Sequence, residues 1–141
     1  MFDFIDGAAG QENASYNNVL SLERLRLLPK VLQNVVERDL RTSILGEEYH
    51  LPIGIAPMGM CDLAWAGTDH AFAEAARNQR IPLCLSTAAS SSIEEMMEQS
   101  SGRTWFQLYV GASFEEGLEK VQRVADAGCQ TLILTVDVPE V

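Results

Sequence analysis

Positive charge is scarce in this chain. Ten lysines and arginines stand against twenty aspartates and glutamates, a formal net charge of −10 over 141 residues. With no basic cluster to offset that balance, the surface repels nucleic-acid phosphate and anionic lipid, and both are excluded as general partners. Cysteine is also sparse. Cys61, Cys84 and Cys129 are odd in number, far apart and set among apolar residues, with no CxxC and no paired Cys/His spacing. They read as reduced core thiols, so no disulfide framework and no metal site is expected. No apolar run approaches the roughly 18 residues of a membrane span. The start, FDFIDGAAGQ, has no basic n-region and does not read as a signal peptide. Glycine-rich phosphate loops of the two common types are missing as well. An intracellular, soluble protein is the expectation.

What is present is enough for a core, because 47% of the residues are hydrophobic. Four short apolar runs organise it: PIGIAP (52–57), IPLCLS (81–86), TWFQLY (104–109) and TLILTVD (131–137). Each finishes in small or polar residues, and helix-like stretches separate them, the pattern of repeated strand–helix units. Helices are expected over TDHAFAEAARNQR, SSSIEEMMEQ and SFEEGLEKVQRVADAG. Thr68 is the expected N-cap of the first, with Ala71, Phe72, Ala75 and Ala76 as its apolar face. Ser92 with Glu95, and Ser113 with Glu116, have capping-box spacing, and Gly128 supplies a stop. In the last helix Phe114, Leu118, Val121 and Ala125 form the expected buried stripe.

Residues 1–50 differ in character and read as an accessory segment with a break at Pro29. Thr42–Leu45 followed by Gly46 suggests a short strand and a turn. Residues 51–141 form the main unit. Strand–helix–strand crossovers are right-handed and give parallel neighbours, so the unit is either half of a (β/α)8 barrel or a small doubly wound sheet. Periodicity alone leaves both open.

Side chains alternate across a strand, so Gln107 and Tyr109 project together, as do Ile133 and Thr135. Ser86 ends the second run, while Pro57, Met58 and Gly59 end the first. Parallel strands bring these groups to one C-terminal edge, where α/β proteins place their sites. The set is neutral, with no lysine, arginine or histidine, and suits a heterocycle better than a phosphate. The plainer alternative is that Ser, Gln and Thr only satisfy backbone groups in turns. His50 and His70 fall away from this rim and read as structural.

Taken in order, RDLRTSILGEEYHLPIGIAPMGM, LSTAASSSIEE, WFQLYV and LTVDVP resemble the FMN-dependent 2-hydroxy acid oxidase and dehydrogenase family. The resemblance implies the N-terminal half of a (β/α)8 barrel, preceded by a helical segment, with FMN across its C-terminal mouth. It implies that the backbone of Ala56, Pro57, Met58 and Gly59 runs along the flavin, and that Ser86, Gln107 and Thr135 bond the polar edge of the ring. Tyr109 is implied as the catalytic residue that approaches the substrate's hydroxyl or carboxylate. Phe4 stands where the family commonly has a substrate-binding tyrosine, and Ala88 where glycolate oxidases carry tryptophan, leaving room for a bulkier substrate. The implied reaction is oxidation of a small 2-hydroxy acid to the 2-oxo acid. In the family the histidine base and the carboxylate-binding arginines follow the LTVD strand, so this chain is expected to be a fragment inactive alone. The alternative is a non-catalytic half-barrel that associates with itself or a C-terminal partner through exposed edges. The expected compartment is the cytoplasm, or the peroxisome in a eukaryote.

Overall fold

The structure is a computed structural model that describes residues 2–111 and 113–137, with the side chains of Asp3 and Phe4 outside that description. The chain divides into two compact units, Met1–Arg38 and Asp39–Val141. The first holds α1 (Phe2–Asp6) and α2 (Asn13–Glu23). No residue of α2 is buried, and its N-cap position is Glu12 in the left-handed region without a side-chain cap. Residues 25–38, including Pro29, form no helix or strand.

The second unit opens with a hairpin, β1 (Thr42–Ile44) against β2 (Glu47–Tyr49). Leu45 at φ 54° and Gly46 at φ 88° turn the chain in the left-handed region, the geometry that suits a two-residue hairpin loop. A 3-10 turn (Cys61–Leu63) and α3 (Thr68–Gln79) follow, then β3 (Leu83–Ser86), α4 (Ile93–Gln99), β4 (Thr104–Leu108), α5 (Phe114–Asp126) and β5 (Leu132–Leu134). The strands pair in the parallel order β3-β4-β5. The expected first strand, 52–57, narrows to a single parallel bridge between Ile55 and Leu83. Ile55 N donates to Pro82 O (2.9 Å) and Cys84 N to Ile55 O (2.9 Å), so the segment lies beside β3 without a longer ladder. Gly54 permits the approach, since a Cβ there would sit 2.8 Å from the Pro82 ring.

The core gathers Ala73 and Ala76 of α3, Ile93 and Met96 of α4 and Val124 of α5 with Leu83, Leu85, Phe106 and Leu108 of the strands. Those strand residues share one face. A doubly wound sheet carries helices on both faces, and here all three lie on one. The other face receives the hairpin. Buried Tyr49 meets Trp105 edge to face at 6.0 Å, accepts its Nε1–H at 3.0 Å and donates to Glu47 at 2.9 Å. Burial first, and the Glu47 bond second, raise the Tyr49 phenol above its ordinary range.

Three local expectations need correction. Gly67, not Thr68, is the cap of α3. Thr68 is its first residue, and Asp62 Oδ1 accepts its N–H at 3.0 Å, so a neighbouring turn does the capping. The buried side chains of α3 are Asp69, Ala73 and Ala76, with Ala71 and Ala75 exposed. In α5, Gly117 and Val124 are buried while Phe114 and Leu118 are 69% and 51% exposed and Ala125 is exposed. The cause is Gly117, whose missing side chain lets α5 close onto Val110, where a Cβ would meet Cγ1 and O at 3.2 Å. The buried line therefore runs beside the apolar stripe and shares Val121 with it. Ser92 and Glu95 form the full capping box, whereas Ser113 accepts the Glu116 N–H.

Candidate functional site

Because β3, β4 and β5 are parallel, Ser86, the end of β4 and Thr135 share one edge. Their side chains form an unbroken hydrogen-bonded chain across three strands. Ser86 Oγ donates to Gln107 Oε1 at 3.1 Å, and Gln107 Nε2 donates to Thr135 Oγ1 at 2.7 Å. Gln107 is 3% exposed and Ser86 6%, so the amide is held in a nearly dry position. Both Gln107 heteroatoms are engaged, and its Oε1 also accepts Thr87 N–H at 3.2 Å. The second Nε2 hydrogen and the Thr135 hydroxyl hydrogen are further donors of this chain.

The loop after Ile55 borders this chain. Met60 N donates to Ala88 O at 2.9 Å, and a Cβ on Gly59 would stand 3.0 Å from Ala88 Cβ and 3.7 Å from Ser86 Oγ. Only a glycine fits between those atoms without a shift. The structure thus brings together Gly59, Ser86, Ala88, Gln107 and Thr135, with Ala56, Pro57 and Met58 exposed just before Gly59. Tyr109 is half-buried one residue beyond β4. The side chain of Phe4 lies outside the described residues.

The plainer reading of these side chains, as turn supports, is met. Ser86 Oγ accepts Ala88 N–H at 3.1 Å and Gln107 Oε1 accepts Thr87 N–H, so each holds a turn as well as its neighbour.

Two residues escape a reading by spacing. Asp69, 3% exposed, accepts the N–H groups of Ser90 at 2.9 Å and Ser91 at 3.0 Å, anchoring the β3–α4 loop to α3. Thr87 bonds both Gln107 and Tyr109. The available signal for each was a polar residue where a helix face or strand end calls for an apolar one. His50 bonds Arg80, just before β3, and His70 on α3 bonds Gln99 of α4. Neither reaches the C-terminal edge. A cavity of about 340 Å³ lined by Leu85, Ser86, Thr87, Phe106, Lys120 and Val124 touches the chain only at Ser86 and Thr87, and its apolar lining belongs to the helix face. The Gln107 edge is where the hydrogen-bonded polar side chains of three strands converge.

Cys84 is buried, and Cys61 and Cys129 are half-buried. All three are free. Burial, with Cys129 nearby, pushes Cys84 up to about 11, and burial likewise raises Cys61 and Cys129, so all are weak nucleophiles at neutral pH. Among the described residues no cluster of three or more His, Cys, Asp or Glu could hold a metal ion, and no helix is long and apolar enough to cross a membrane.

A family model described as FMN-dependent dehydrogenase matches residues 1–141. The chain is 38% identical over 138 residues to human 2-hydroxyacid oxidase 2, covering 97% of this chain and 39% of that protein. It is 39% identical over 139 residues to an L-lactate dehydrogenase of Pseudomonas syringae, covering 99% of this chain and 37% of that protein. Among solved structures, a mandelate oxidase with 3,3-difluoro-2-hydroxy-3-phenylpropionic acid superposes with a TM-score of 0.92 at 36% identity, over 98% of this chain and 41% of its own. A mandelate oxidase variant bearing a C4a-OH-FMN adduct also superposes with a TM-score of 0.92, at 35% identity, over 98% of this chain and 42% of its own. The chain spans about two fifths of the length of the curated relatives it matches.

Proposed function

The chain belongs to the FMN-dependent dehydrogenase family, and on that premise we propose that it supplies one side of a flavin cradle in an enzyme that oxidises a small 2-hydroxy acid to the 2-oxo acid. Residues 51–141 are the N-terminal half of a (β/α)8 barrel, consistent with sequential parallel strands and helices on one face. Support comes above all from the Ser86–Gln107–Thr135 chain. Its donors are neutral and lie in a row across three strands, which suits the polar edge of an isoalloxazine ring, and it brings no cationic side chain to neutralise a phosphate.

When bound, FMN supplies the acceptor for the two electrons that leave the substrate. The residues here position and tune. Ser86, Gln107 and Thr135 hold the ring edge, and the fixed Gln107 amide presents N–H to a carbonyl oxygen without reorganising. The backbone of Ala56, Pro57, Met58 and Gly59 lines the ring. Tyr109 places its hydroxyl against the substrate's hydroxyl or carboxylate. Ala88 leaves space for an aromatic side chain on the substrate. Neither His50, bonded to Arg80, nor His70, bonded to Gln99, is assigned the role of proton-abstracting base.

The test uses the flavin-loaded full chain containing this segment. Anaerobic addition of lactate, glycolate or mandelate should bleach the flavin absorbance with at least one of them. Bound flavin that none of the three bleaches overturns the proposal. Gln107→Leu should weaken FMN binding by about tenfold or more, because it strands the Ser86 hydroxyl as well as removing its own amide.

A second reading has its own observation. Leu132 and Leu134 of β5 are 41% and 50% exposed, and Phe114 and Leu118 of α5 are 69% and 51% exposed. A half-barrel associating through that edge, without catalysis of its own, would show the 141-residue chain as a dimer or larger in analytical ultracentrifugation. A monomer with a sharp cooperative melt counts against it.

A further inference from the structure

We infer that Thr87 is a positioning residue for Tyr109, using its hydroxyl to continue the β3–β4 pairing past the point where the backbone of β3 turns away. The inference rests on the function proposed above. The parallel register ends at Ser86 opposite Gln107. In a regular parallel ladder one residue bonds two residues of its neighbour, accepting with its carbonyl from one and donating with its N–H to the other. Thr87 keeps the second bond, since its N–H donates to Gln107 O at 3.0 Å. For the first, Tyr109 N–H is accepted by Thr87 Oγ1 at 3.0 Å, so the side chain stands in for the carbonyl.

The hydroxyl makes a second bond, donating to Gln107 O at 2.5 Å. One oxygen therefore ties the strand bearing Gln107 and Tyr109 to the loop bearing Ala88. The carbonyl of Thr87 is released from the ladder, and the chain turns at once, with Ala89 N–H returning to Ser86 O at 3.0 Å. That turn sets Ala88 against Gly59 while Tyr109 stays attached to the sheet. Only a residue that accepts and donates through a short β-hydroxyl can do both, which restricts the position to Thr or Ser.

The test compares Thr87→Val, which keeps the shape and loses both hydroxyl bonds, with Thr87→Ser, which keeps them, in the flavin-loaded full chain. Hydrogen exchange gives a readout independent of turnover. The Tyr109 amide should exchange at least about tenfold faster in Thr87→Val and stay within about threefold of the parent in Thr87→Ser. Flavin reduction by the hydroxy acid should slow by about tenfold or more in Thr87→Val, with Thr87→Ser restoring most of the rate. In the Thr87→Val/Tyr109→Phe double variant the rate should match Tyr109→Phe alone, because both changes act through one side chain.

An unchanged Tyr109 amide in Thr87→Val overturns the inference, as do multiplying rate effects or a Ser variant that behaves like Val. If Thr87→Val does not fold, Thr87→Cys, with its weak donor and acceptor, must show the same loss of Tyr109 protection. A parent chain that reduces its flavin with no hydroxy acid defeats the proposed function, while the exchange result still decides the role of Thr87.

Discussion

Residues 1–38 and residues 39–141 are separate compact units that use similar apolar residues to different ends. In the first, Leu25, Leu27, Leu28, Val31 and Leu32 are all at least 71% exposed, and α2 buries nothing. In the second, ten apolar residues close into one cluster. The difference is one of return. Short loops in the second unit bring each helix back over its strand, so Ala73, Ile93, Met96 and Val124 meet the same sheet face. The first unit has no sheet of its own, and apolar residues without an opposing surface make no core.

That contrast can be broken most directly in the core. Phe106→Ala should cost about 3 to 5 kcal/mol of unfolding free energy, read by urea titration with circular dichroism, because it removes a ring from the centre of the cluster. Leu27→Ala, at a residue 98% exposed, should stay within about 0.5 kcal/mol. Equal losses would mean that the first unit has a core after all. Amide exchange sharpens the same point. Amides of Leu83–Ser86 and Thr104–Leu108 should be the slowest in the chain, and those of Asn13–Glu23 should exchange far faster.

Capping separates the units on a smaller scale. Ser92→Ala breaks the capping box of α4 and should cost about 1 kcal/mol, whereas Glu12→Ala in α2, where no side-chain cap exists, should cost about 0.5 kcal/mol or less. The smallest effect is electrostatic. Arg123 bonds Glu94 at 2.7 Å and 2.8 Å and holds its carboxyl down from 4.5 to about 2. The lowered folded-state value stabilises fully above pH 4.5 and fades as pH falls towards about 2. Both groups are about half exposed or more, so solvent screening keeps the contribution small. Glu94→Gln should flatten the pH dependence of the melting temperature in that window and leave neutral pH nearly unchanged.

Much of the second unit is legible before folding. Three helices, the short strand and turn at Gly46, the Ser92 cap and the stop at Gly128 follow from spacing, because each depends on residues within one turn of each other. The trio Ser86, Gln107 and Thr135 is also legible, since strand alternation and parallel order suffice to bring strand ends together. Where reading by pattern fails, a neighbour decides. Gly117 contributes nothing to an apolar pattern yet sets the buried line of α5 through its contact with Val110. Thr68 looks like a cap, but Asp62 from a preceding turn takes that role. Asp69 reads as an ordinary first-turn acid and proves to hold a loop 21 and 22 residues away.

The amino-acid sequence by itself determined the alternation of strands and helices, the neutral character of the rim and the family, because these rest on residue type and local order. Tertiary structure alone decided that the PIGIAP run would narrow to one bridge, that all three helices would share one face, and that Thr87 would reach Tyr109. Those outcomes depend on which groups meet after the chain has turned back on itself. A hydroxyl's partner is set by packing, where it is the nearest unsatisfied N–H or C=O that must be met.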